Sequence, residues 1–94
     1  MALTAAEQLA TKVENELKRL APQAVIRCDY SNYQDDGVDL YVYAPRKVAY
    51  ILQGKLKAIV DSELRRVKDL RARLLMENIE NMSEEAKQKY GIQA

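Results

Sequence analysis

The sequence predicts an α+β fold in the order α-β-β-α(-α), with an antiparallel β-hairpin packed on an N-terminal helix and a long central helix. Three observations carry this. Apolar residues recur at three- and four-residue steps up to Leu20, alternate between Ala24 and Val42, and return to helical spacing from Val48 onward. With 94 residues, 48% apolar and 31% charged, the chain has the size and composition of a single folded domain over 1–94.

The first element is a helix over 4–21. Thr4-Ala5-Ala6-Glu7 is a capping box, in which the Thr hydroxyl accepts from an early helical N–H while the Glu side chain reaches back, with Leu3 and Gln8 at the staple positions. Ala6, Leu9, Ala10, Val13, Leu17 and Leu20 form one apolar stripe. Pro22 ends the helix, because it pushes Ala21 out of helical conformation.

A strand over 24–30 follows, with Ala24, Ile26, Cys28 and Tyr30 on one side. Ser31 to Gly37 is rich in turn formers, and Asp36-Gly37 is the expected place for a positive φ. A second strand over 38–44 directs Val38, Leu40 and Val42 one way and Asp39, Tyr41 and Tyr43 the other, until Pro45 closes it.

From Val48 through Leu52, Leu56, Ile59, Val60, Leu64, Val67, Leu70 and Leu74 a single helical stripe predicts a long helix over 46–80, with Gly54 on its polar side and Glu63 interrupting the stripe. Such a helix would measure roughly 50 Å to Asn78, whereas a seven-residue strand extends only about 23 Å. It outruns the hairpin beneath it. Ser83-Glu84-Glu85 predicts the start of a short helix over 84–90, and Gly91-Ile92 its end.

This architecture leaves two surfaces without a partner: the stripe of Val67, Leu70 and Leu74 on the far half of the long helix, and the face bearing Tyr41 and Tyr43. A second copy is the expected partner for one of them, through paired helices or hairpin edges, since two-fold dimers dominate soluble oligomers. The other reading is a monomer in which the terminal helix folds back over the stripe.

The absence of His and the single Cys28 remove the side chains that build most metal sites and most nucleophilic or acid–base machinery near neutral pH. No catalytic, metal or cofactor residue is assigned. Tyr50 and Tyr90 are read as packing residues, and Cys28 as a buried free thiol that behaves as a small hydrophobe. Setting Gly37 at the sixth position of a calcium loop puts Asn32, Gln34 and Asp36 at the first, third and fifth positions and Tyr43 at the twelfth, so that pattern fails. The apolar runs are too short to span a bilayer and no secretory signal is read at Met1-Ala2-Leu3-Thr4, which makes cytoplasmic the expected location, without membrane partners.

The formal charge of +1 names no partner, but its distribution is uneven. Residues 1–45 carry four basic and seven acidic side chains, 46–73 nine and three, and 74–94 two and four. Within the basic block, Arg65, Arg66, Lys68, Arg71 and Arg73 are the candidate phosphate contacts. Against them stand Asp61–Arg65 and Asp69–Arg73, spaced to form ion pairs along a helix. The order helix, strand, strand, then a helix carrying Leu52-Gln53-Gly54-Lys55-Leu56 resembles the opening of a bacterial-type K-homology RNA-binding domain. That family clamps RNA with a GXXG loop and completes its sheet with a third strand. Here Gly54 has no second glycine, and Val60 to Asn78 reads as more helix.

All six aromatic residues are tyrosines, and Tyr30, Tyr33, Tyr41 and Tyr43 lie in or near the hairpin. On an open face such residues anchor a protein partner or stack on bases. Asp29, Asp35, Asp36 and Asp39 place negative charge beside them, which disfavours phosphates. The sequence is therefore read as a small non-enzymatic interaction module, an adaptor, inhibitor or assembly factor, that binds itself and another protein. Nucleic-acid binding by the basic segment is the alternative.

Overall fold

The computed structural model describes Leu3 to Lys89, in the order α1 (Ala5–Leu20), β1 (Val25–Asp29), β2 (Gly37–Ala44), α2 (Arg46–Arg66), β3 (Arg71–Asn78), a 3-10 turn (Ile79–Asn81) and α3 (Glu84–Lys89). The fold is α+β. Its sheet has three strands in the order β1-β2-β3, with β2 antiparallel to β1 and parallel to β3.

The start of α1 satisfies its backbone from two directions. Thr4 closes the capping box with Glu7, and the carboxylate of Asp36 accepts from the N–H groups of Ala5 and Ala6 at 2.9 and 3.0 Å. The helix N-terminus is thereby tied to the loop between β1 and β2, at a pole where negative charge is favourable. Ala6, Leu9, Ala10, Val13 and Leu17 are buried, and Ala21 leaves helical conformation before Pro22. Ser83 caps α3 through a 3.1 Å hydrogen bond from the Ala86 N–H. The expected ending at Gly91-Ile92 and the role of Tyr90 lie outside the described residues.

β2 is the central strand and the most deeply buried one. Val38, Leu40, Val42 and Ala44 all have zero exposure, and they pack with Leu9, Val13, Leu17, Leu52 and Leu56 of the two long helices. Ile26 and Cys28 stand beside Val42 and Leu40 on this face, as the alternation of β1 predicts. Tyr30, placed with them by that alternation, lies beyond the end of β1 and is 42% exposed.

The long helix stops at Arg66, fourteen residues before its predicted end at 80, and 71–78 is a strand. Val67 adopts an extended backbone (φ −112°, ψ 112°) and the chain turns back through Lys68 to Leu70. Arg71 to Asn78 consists mostly of good helix formers, so propensity favours the wrong state. Pairing overrides it, because a two-stranded sheet is marginal in water and β2 has a free edge for a third strand. The connection through α2 is long enough for a parallel return. The third strand that the K-homology resemblance implies is thus present, while Gly54 lies within α2 and no GXXG loop is formed.

Gly37 also departs from expectation, since its φ is not in the left-handed region. Its lack of a side chain serves a close approach instead. A Cβ there would stand 2.4 Å from Cγ of Tyr33, which lies across the start of β2.

Candidate functional site

The two long helices cover one face of the sheet, and the strand registers define the other. Tyr43 stands between Val25 and Glu77, Tyr41 between Arg27 and Leu75, and Asp39 between Asp29 and Arg73. Arg71 stands beside Gly37 at the end of the face. Tyr41 and Tyr43 are half-buried, while Arg27, Arg71, Arg73 and Glu77 are exposed. The Arg27 guanidinium lies 4.1 Å from the centroid of the Tyr41 ring, a cation–π contact that fixes the ring at the middle of the face.

One end of the face is built on a buried charge. Asp39 has zero exposure and accepts four hydrogen bonds: from Arg73 Nε and Nη2 at 3.0 and 2.9 Å, from the Tyr33 hydroxyl at 2.6 Å and from the Asn32 amide at 2.7 Å. The Arg73 contact, followed by those of Tyr33 and Asn32, holds its carboxyl far below the usual range despite the opposing effect of burial. Burial and the bond to Asp39 in turn push the Tyr33 hydroxyl up. The cluster locks the 31–36 loop onto the sheet rather than leaving a reactive group, since each carboxylate oxygen is doubly engaged.

The predicted sites are redistributed by β3. Tyr41 and Tyr43 share one face, as the alternation of β2 requires. Val67 is half-buried in the turn, Leu70 is buried in the core, and Leu74 points from β3 toward the helices, so these three do not form a helix stripe. Of the basic residues, Arg65 and Arg66 end α2, Lys68 lies in the turn, and Arg71 and Arg73 join the tyrosine face. Arg66 is bound to Glu63 and Arg73 to Asp39. The pairs expected along a continuous helix are replaced: Asp61 meets Lys57 at 3.0 Å, and Asp69 is no longer on a helix with Arg73. Tyr50, expected to pack, is 87% exposed on the outer side of α2 next to Ile51, 59% exposed.

Comparison with protein-family models, curated proteins and solved structures finds no match for this chain.

Sequence reasoning missed Arg27 and Leu75 as members of the face. Arg27 was legible from the alternation of β1, whereas Leu75 was hidden inside Leu74-Leu75-Met76. Among the described residues no three Cys, Asp or Glu side chains are grouped to hold a metal ion, and no helix is long and apolar enough to cross a membrane. Burial raises the pKa of Cys28, which keeps its thiol protonated and poorly nucleophilic.

Proposed function

We propose that the protein is a non-enzymatic interaction module that holds a protein partner on the sheet face bearing Tyr41 and Tyr43. The observation that carries this reading is the composition of the face. Tyr41, Tyr43, Leu75 and Val25 supply its apolar middle, with three cations (Arg27, Arg71, Arg73) and three anions (Asp29, Asp39, Glu77) around them, for a net charge of zero. Aromatic anchors within a mixed polar rim suit a protein surface. A phosphate backbone calls for a surplus of positive charge.

The nucleic-acid reading keeps one supporting observation, that Arg71 and Arg73 share the face of the tyrosines. It is the weaker reading, because Arg73 is engaged with Asp39 and Arg66 with Glu63, so the face carries no surplus of positive charge. Quantitative pull-down with the wild type and with Tyr41→Ala plus Tyr43→Ala tests the choice, alongside gel shifts on mixed RNA and DNA at two salt concentrations. A protein captured by the wild type and lost from the folded double variant supports the face. Capture that survives the double substitution removes it, and a salt-sensitive nucleic-acid shift transfers the function to the arginines.

A further inference from the structure

The two edges of the sheet differ. β1 offers five residues, whereas β3 offers eight without proline or glycine, and among the described residues no backbone group pairs with its outer side. Proteins usually blunt an edge of that length. The Arg71 N–H donates to the Asp36 carbonyl at 3.0 Å, which sets the parity of the parallel ladder. Arg71, Arg73, Leu75 and Glu77 turn their amide groups toward β2, so Ala72, Leu74, Met76 and Asn78 turn theirs outward.

We propose that the chain forms a two-fold dimer in which β3 pairs antiparallel with β3 of a second copy, Leu75 against Leu75 of the partner subunit, to give a continuous six-stranded sheet. This concerns the edge of the sheet; Arg73, Leu75 and Glu77 also border the open face, but Tyr41 and Tyr43, on which the reading of that face rests, take no part in it. Three features select the second copy and this register. The outward-turned residues fall opposite one another, Leu74 against Met76 of the partner subunit and Ala72 against Asn78 of the partner subunit, so that each such pair exchanges both N–H···O bonds. On the open face, Arg73 falls opposite Glu77 of the partner subunit, and the two-fold axis repeats the pair. Glu77 has no ion partner among the described residues, and the Arg73 side chain is 61% exposed although it grips Asp39, leaving guanidinium N–H groups for a second acceptor.

The helix side of the same edge is also prepared. Val60 and Leu64 of α2 with Ala72 and Leu74 of β3 form the apolar side of a groove of about 170 Å³ that Gln53, Lys57 and Asp61 also line, and the partner's Met76 falls beside that apolar side in this register. Ala72, Leu74 and Met76 are only partly buried in the single chain, so pairing adds to their burial. The formal charge of +1 offers little long-range repulsion between copies.

Light scattering over a wide concentration range, combined with one cross-link, tests the proposal. The wild type is expected at twice the 10.7 kDa of one chain. Glu77→Lys, at an exposed position, is expected to weaken the dimer about tenfold or more by placing a cation opposite Arg73 of the partner subunit. Leu75→Cys with Cys28→Ser is expected to form a disulfide-linked dimer under mild oxidation, because facing residues of a non-hydrogen-bonded antiparallel pair have Cα atoms about 4.5 Å apart, within disulfide reach. Circular dichroism verifies that both variants fold. A wild type that stays monomeric at every concentration overturns the proposal, leaving the edge to a foreign strand or to none. A dimer that neither cross-links at residue 75 nor responds to Glu77→Lys overturns it as well, since the contact must then lie elsewhere.

Discussion

Arg73 holds the buried carboxylate of Asp39 with two parallel hydrogen bonds, Nε to Oδ1 at 3.0 Å and Nη2 to Oδ2 at 2.9 Å, and so joins β3 to β2 across the open face. The pair explains how a charge with zero exposure is tolerated at a position facing away from the core. Asp39→Ala strands the Tyr33 hydroxyl and the Asn32 amide without their acceptor, and is expected to cost about 2–4 kcal/mol. Arg73→Lys keeps the charge but loses the planar fork, and is expected to cost less, about 1–2 kcal/mol. Urea unfolding monitored by circular dichroism checks both values and their order.

Gly37 and Tyr33 form a second testable pair. A Cβ on Gly37 would meet the Tyr33 ring at 2.4 Å, so Gly37→Ala displaces the ring and with it the 2.6 Å hydrogen bond to Asp39. The expected loss is about 1–3 kcal/mol. Because the cause is steric and not a backbone conformation closed to alanine, Gly37→Ala introduced into a Tyr33→Ala background is expected to cost much less, with only the 2.9 Å approach to the Cβ at position 33 remaining. Thermal unfolding of the two single variants and the double variant measures that coupling.

How much of this was legible follows the range of the interactions. α1 carries its start, its stripe and its stop within twenty consecutive residues, and β1 and β2 show their period of two. β3 was not legible, because Leu74-Leu75-Met76 interrupts the alternation of Arg71, Arg73 and Glu77 and the segment favours helix. A signal did exist. A lone hairpin with Asp39 on its far side lacked both a third strand and a cation opposite that carboxylate, and β3 supplies the two together. The partners of Asp36 at Ala5 and Ala6 lie 31 and 30 residues away, and no local pattern marks them.

Asp36 accordingly links three parts of the fold. Its carboxylate caps α1, while its carbonyl accepts from Arg71 at the start of β3. Asp36→Ala removes the first link and spares the second, with an expected loss of about 0.5–2 kcal/mol. The effect is predicted to be local. Amide exchange at Ala5 and Ala6 is expected to accelerate well beyond the change at Leu17, whereas a uniform acceleration along α1 would mean that Asp36 supports the whole fold rather than the helix end.

Glu63 gives the molecule a defined response to acid. It is buried on α2, bonded to Arg66 at 2.7 Å and to Lys12 of α1 at 2.7 Å, and these contacts hold its carboxyl at about 2 against an ordinary 4.5. Because the folded value lies below the unfolded one, its contribution is fully present above about pH 4.5 and is lost as the pH falls toward 2. Asp39, lowered in the same direction, adds to the effect at the acid end. Glu63→Gln is expected to cost about 1–2 kcal/mol at neutral pH, less than the full shift implies, because both cations are at least half exposed to water. Unfolding midpoints measured from pH 7 to pH 2 should therefore converge for the wild type and Glu63→Gln at the acid end. A constant gap at every pH would assign the loss to packing instead of charge.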